Sequence, residues 1–134
     1  MKENINIRLE GQVTIRNRGK IIFRESNTIT GNNLQILMMC LANVPLSPSI
    51  DVIVANGDFG SVDLSVFDSV YDTTEKSITF MATAFEESFQ GTVTDLELKC
   101  SLLGLNLAVK TGVSYAKDDE TRLQFDWKIK ITNC

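Results

Sequence analysis

Residues 123–131 read Leu-Gln-Phe-Asp-Trp-Lys-Ile-Lys-Ile, an unbroken alternation of apolar and polar side chains. Successive side chains of a β-strand point to opposite faces, so this stretch predicts a strand with one buried and one solvated face. The side chains expected to point inward are Leu123, Phe125, Trp127, Ile129 and Ile131. Those expected to point outward are Arg122, Gln124, Asp126, Lys128 and Lys130. Phe125 and Trp127 are therefore predicted to lie in the core.

The same two-residue period recurs along most of the chain, which has 134 residues. Apolar residues alternate with polar ones over residues 5–15, 50–54, 62–66, 78–84, 96–100, 105–109 and 113–115. About eight short strands, separated by turn signals every ~8–12 residues, are typical of an antiparallel β-sandwich. We therefore predict one domain over residues 1–134, mainly β, with an Ig-like or jelly-roll-like sandwich fold.

The first two strands are predicted to form a hairpin. Asn17-Arg18-Gly19-Lys20 has the composition of a tight turn, and Ile21-Ile22-Phe23 begins the returning strand. Gly11 interrupts the apolar face of the first strand. A glycine there predicts a bulge or bend through which one strand serves two sheets.

One segment has helical periodicity instead. Leu34, Leu37, Met38 and Leu41 recur at the spacing of one helix face. Asn32 or Asn33 can cap the start of this helix. Pro45 and Pro48 require the helix to end before them. The sequence therefore predicts a short buried α-helix near residues 33–42.

The net charge of −4 is unevenly distributed. Residues 1–30 have six basic and three acidic side chains, whereas residues 51–97 have one basic and ten acidic. Two interpretations remain open: these are solvated outer faces, or an acidic face of one copy meets a basic face of another. Nucleic acid is not an expected partner, because the chain is acidic overall and its basic segment has almost no aromatic residues between the charges.

The side chains needed for most enzyme mechanisms are missing from the sequence. It contains no histidine, and its three cysteines, Cys40, Cys100 and Cys134, are too far apart for a common zinc motif. Phosphate-binding glycine loops and the standard calcium loop are also absent. Adjacent carboxylates at 86–87 and 118–120 fall in predicted turns, where solvated charge is ordinary. We expect no enzymatic activity, no cofactor and no bound metal.

The sequence also has no apolar run of the ~20 residues that cross a bilayer. Its first residues, Met1 to Asn6, alternate in polarity and do not resemble a signal peptide. An odd number of unpaired cysteines is consistent with a reducing compartment. Synthesis in a cytoplasm, with no membrane partner, is the resulting expectation.

The order of these elements resembles a known group of proteins. A strand with Gly-x-Val-Thr-Ile at 11–15 is followed by a turn, by Glu-Ser-Asn-Thr-Ile-Thr at 25–30 and by the apolar helical segment. Phe-x-x-x-Phe-x-Gly-x-Val at 85–93 and the final strand complete the pattern. This is similar to the small β-sandwich virion proteins of tailed bacteriophages, which occur in head decoration, head fibres, tails and baseplates. The resemblance implies a structural virion component that is made in the host cytoplasm. It would contact other copies of itself and other virion proteins, and it would have no catalytic residues.

Apolar residues in predicted loops are the candidate contacts of such an assembly. They are Val44, Pro45, Leu46, Pro48, Phe59, Phe85 and Phe89. The alternative hypothesis is a non-viral β-sandwich module that binds protein or carbohydrate. Exposed aromatic side chains would favour that alternative, but most of the ten aromatic residues fall on predicted core positions.

Overall fold

A computed structural model describes residues 7–29 and 49–133 of the chain. Within these ranges the chain forms nine β-strands, and no helix there is long and apolar enough to cross a membrane. The strands are β1 Ile7–Asn17, β2 Lys20–Ile29, β3 Val52–Gly57, β4 Gly60–Asp72, β5 Ser77–Ala84, β6 Gly91–Cys100, β7 Leu105–Lys110, β8 Tyr115–Lys117 and β9 Leu123–Asn133. The helix predicted near residues 33–42 lies outside the described residues.

The strands pair in one antiparallel sheet, in the order β3-β4-β5-β9-β1-β2-β7-β6-β8. An additional pairing of β3 with β6 means that the sheet curls round until these two strands meet. The prediction of an all-β, antiparallel fold with about eight strands is confirmed. The pairing is continuous and does not separate into the two sheets of a sandwich, so the Ig-like or jelly-roll-like assignment stays a prediction.

Two strands change partner along their length, and this lets the sheet curl. Residues 60–65 of β4 pair with β3, whereas residues 66–72 pair with β5. A one-residue bulge at Phe67 marks the change. In the same way, β2 pairs with β1 over residues 20–27 and with β7 at residues 28–29. Along its whole length, each of these strands therefore pairs with another described strand on only one edge at a time.

The bulge or bend predicted at Gly11 is wrong. Gly11 pairs in regular register with Asn27 on β2 and with Ile129 on β9. The bulge of this hairpin lies further along, where Ile22 is the extra residue. Glycine is required at position 11 for space, because a Cβ atom there would lie 2.1 Å from Oδ1 of Asn27. That oxygen accepts a hydrogen bond of 3.0 Å from the Trp127 indole.

The predicted turn between β1 and β2 is confirmed. Arg18 and Gly19 form a two-residue connection and both have positive φ, 53° and 78°. Positive φ at both positions is typical of the type I′ turn, whose twist matches that of the flanking strands. The hairpin end therefore has a defined geometry.

The core is built around β9, as its alternation predicts. Phe125 and Trp127 are buried, and β9 lies between β5 and β1. The outward face departs from the prediction, because Asp126 is also buried and its carboxylate lies 2.9 Å from Nε of Arg16 on β1. A central strand has neighbours on both sides, and long side chains from those neighbours cover its outer face. Ile131, predicted to point into the core, is exposed near the end of the strand.

Gly11→Ala is expected to lower the free energy of unfolding by about 1–3 kcal/mol. The new methyl group must displace the Asn27 amide, which leaves the buried Trp127 N–H without its acceptor. Urea unfolding followed by tryptophan fluorescence measures this loss.

The control is the same substitution in an Asn27→Ala background, where the obstructing amide is gone. There, Gly11→Ala should have a much smaller effect on the free energy of unfolding. Equal losses in both backgrounds would show that the two residues are not coupled.

Candidate interaction surface

The structure describes three of the seven contact residues predicted from the sequence. Four of them, Val44, Pro45, Leu46 and Pro48, lie outside the described residues. The other three belong to the β3–β4 turn and to the β5–β6 loop.

Phe59 and Phe89 stack on each other, with ring centroids 4.3 Å apart. Phe89 is buried, so its ring is not available for contact with another protein. The Phe89 ring also lies 5.3 Å from Nζ of Lys117, a lysine that is only 2% exposed. These three side chains stabilise one end of the protein.

Lys117 fixes the loop that connects β5 to β6. Its Nζ atom donates hydrogen bonds to the carbonyl oxygens of Glu86, Phe89 and Asp118, at 2.8, 2.9 and 2.9 Å. An ammonium group has three N–H donors, and all three are used here. The loop is thus held by one side chain that comes from β8.

Phe85 is the one predicted contact residue that is exposed among those described, at 44%. The guanidinium of Arg122 lies 4.9 Å from its ring centroid and forms an ion pair with Glu86. Both partners of this ion pair are partly solvated. Phe85 therefore contributes a single aromatic ring to a polar surface.

Three carboxyl groups at the surface have a lowered pKa. A hydrogen bond from Lys128 lowers the pKa of Glu75, and hydrogen bonds from its own backbone amide and from Arg122 lower the pKa of Glu86. The hydroxyl of Thr121 is the main cause of the lowered pKa of Asp118. All three groups hold turns or loops at the ends of strands.

These shifts predict acid sensitivity. A carboxyl group with a lower pKa in the folded chain contributes stability that is full above its ordinary value, 4.5 for Glu and 3.8 for Asp. That contribution is lost as the pH falls through the lowered values. We expect the urea midpoint to decrease as the pH falls below about 4.5. A triple variant, Glu75→Gln, Glu86→Gln and Asp118→Asn, should show a shallower decrease, and an unchanged slope would contradict this origin.

The second half of β4 has the most exposed apolar side chains. Phe67 is 60% exposed, Tyr71 is 66% exposed, and Val70 between them is also exposed. We call residues 66–72 the acidic half-edge, because they also include Asp68 and Asp72 and no basic residue. Both carboxylates accept hydrogen bonds only from nearby backbone N–H groups of the described chain. Beyond Val66, whose backbone N–H donates to the carbonyl oxygen of Asp51 at 2.8 Å, the edge of this segment opposite β5 has no strand partner among residues 7–29 and 49–133.

The β1–β2 hairpin presents a surface of opposite charge. We call residues 18–24 the basic hairpin end, because they contain Arg18, Lys20 and Arg24, all exposed, and no acidic residue. Within the described part of the chain, neither Arg18 nor Lys20 forms an ion pair. Ile21, which is 40% exposed, lies between these charges.

The acidic half-edge was not recognised in the sequence, which predicted a strand only as far as residue 66. Phe67, Val70 and Tyr71 are typical strand residues, so a signal was present. The bulge at Phe67 shifts the two-residue period, and an alternation pattern read from one end stops there.

Two clefts lie among the described residues. One, of about 530 Å³, is lined by residues of β1, β2 and β9, and it also contains Glu75. Glu75 forms an ion pair with Lys128 in this cleft. A second, of about 440 Å³, lies beside Phe85 and Arg122. In the described ranges, no three Cys, Asp or Glu residues are grouped closely enough to hold a metal ion.

Comparisons with protein-family models, with curated proteins and with solved structures found no match for this chain.

Proposed function

We propose that this protein is a structural component of a tailed-bacteriophage particle and acts as one of several identical copies in the head or tail. It performs no catalysis in this role. Its contacts are with itself and with other virion proteins.

The exposed half of β4 is the observation that supports this proposal best. Proteins usually protect the edges of their sheets, because an unpaired edge with apolar side chains associates with other strands. Here Phe67 and Tyr71 are each more than half exposed beside such an edge. Assembly with another protein surface would bury them. The resemblance of the chain to phage virion proteins supplies the class of assembly.

A second candidate function is a non-viral module that binds protein or carbohydrate. The same aromatic side chains favour it, since an exposed Tyr71 could stack on a sugar ring. A glycan-binding module can work as a monomer, whereas a particle component works in several copies. The oligomeric state therefore separates the two hypotheses.

The test has two measurements. Light scattering of the purified protein gives its oligomeric mass over a range of concentrations. Quantitative mass spectrometry of particles released from cells that express the complete phage genome gives its copy number per particle. We expect an oligomer in solution and many copies in each particle. A monomer at high concentration that is absent from particles would reject the proposal and favour the binding module.

A further inference from the structure

We propose that the acidic half-edge of one copy binds the basic hairpin end of the next copy, which creates a head-to-tail contact between identical chains. This inference rests on the proposed function as an assembling protein and names the two surfaces that meet. Because the two surfaces differ, the contact is heterologous, and its repetition builds a ring or a filament.

The first argument is charge complementarity. The acidic half-edge contains two exposed carboxylates, Asp68 and Asp72, and the basic hairpin end contains three exposed cations. Two copies of the acidic half-edge would bring like charges together, as would two copies of the basic hairpin end. Opposite surfaces on neighbouring copies are therefore favoured over a symmetric pairing of either surface with itself.

The second argument is spacing. Lys20 and Arg24 are four positions apart, as are Asp68 and Asp72. Antiparallel alignment of the two segments brings Lys20 next to Asp72. The bulge at Ile22 turns Arg24 to the opposite face of β2, so its long side chain must reach round the strand edge to approach Asp68.

The apolar residues agree with the same alignment. Ile21 then lies opposite Tyr71, so one exposed apolar side chain of each segment contacts the other, whereas Val70 points to the other face of β4.

The structure also limits which backbone groups take part. The hydroxyl of Tyr115 donates to the carbonyl oxygen of Ile22, so that part of the β2 edge is already covered. The ammonium of Lys110 lies over the Phe23 ring and forms an ion pair with Glu25, which covers the next part. Backbone pairing from the hairpin is therefore restricted to its first residues, and side chains supply most of the contact.

A charge-swap experiment tests this contact. One variant has Lys20→Glu with Arg24→Glu, and a second has Asp68→Lys with Asp72→Lys. Each variant alone has two surfaces of the same sign, so its dissociation constant should rise by at least about tenfold. In a mixture, the reversed hairpin of the first meets the reversed edge of the second, and assembly should return.

The matched control is Asp63→Lys with Asp95→Lys. It makes the same change in net charge as the edge variant, but at residues outside residues 66–72. This control should assemble like the wild type. Circular dichroism tests whether each variant is folded. If a double variant does not fold, the single substitution Lys20→Glu or Asp68→Lys is used in its place.

The outcomes separate this inference from the proposed function. A wild-type protein that stays monomeric rejects the inference, and it rejects the proposed function as well if the protein is also absent from particles. A wild-type oligomer whose mass is unchanged by either reversal rejects the inference alone, as does a mixture that does not reassemble. Loss of assembly only in the edge variant would indicate a symmetric contact between two β4 strands, which also contradicts this proposal.

Discussion

Phe125→Ala is expected to lower the free energy of unfolding by about 3–5 kcal/mol. The ring is buried near the start of β9, where Ile15 on β1 and Ala82 on β5 are its cross-strand neighbours. Truncation removes its transfer free energy and leaves a cavity that rigid neighbouring strands fill only in part. A small domain has about 5–15 kcal/mol of stability in total, so this variant should be close to unfolding at 37 °C.

Urea denaturation measures the effect, and Phe67→Ala is its matched control. The same side chain is removed there from an exposed position on β4, where substitutions usually change the free energy of unfolding by less than about 0.5 kcal/mol. If Phe125→Ala cost less than about 1 kcal/mol, the assignment of β9 as the central core strand would be wrong.

Lys117→Met is expected to lower the free energy of unfolding by about 2–4 kcal/mol. Methionine keeps most of the volume of the buried side chain but donates no hydrogen bonds. Three carbonyl oxygens of the chain, those of Glu86, Phe89 and Asp118, would then lose the donor that satisfies them. Unsatisfied buried polar groups cost about 1–3 kcal/mol each, and relaxation of the loop towards solvent recovers part of the loss.

Lys110→Met provides the comparison for this prediction. The ammonium of Lys110 pairs with Glu25, which is exposed, and such pairs contribute about 0–1 kcal/mol. Thermal unfolding of both variants should therefore show a clearly larger loss for Lys117→Met. Limited proteolysis should also show faster cleavage in residues 85–90 of that variant. Equal losses for the two lysines would mean that the hydrogen bonds of Lys117 do not hold the loop.

The most regular patterns in the sequence gave correct predictions. The alternation at 123–131 predicted β9 and the burial of Phe125 and Trp127, because a period of two has one structural solution when one face is apolar. The turn at Arg18 and Gly19 was also predictable, since glycine readily adopts the positive φ that the second turn position requires.

Other features depend on contacts between residues far apart in the chain. The reason for a glycine at position 11 is the amide of Asn27, which lies opposite it on another strand. Asp126 occupies a polar position of the alternation, which is typical of a solvated residue, but it is buried beside Arg16, which is 110 positions away. The burial of Lys117 likewise depends on a loop about 30 positions earlier, and no local pattern reveals it.

The sequence by itself determined the strand content, the hairpin and the core face of β9, because each follows from local geometry or from a short period. Only the tertiary structure decided how the strands join. It showed that β2 and β4 change partner so that the sheet curls, and that the acidic half-edge remains exposed among the described residues. Several distant segments have nearly the same alternating pattern, so the sequence does not show which of them pair. The packing of the whole sheet determines the pairing, and it therefore determines which strand edge is available to a partner.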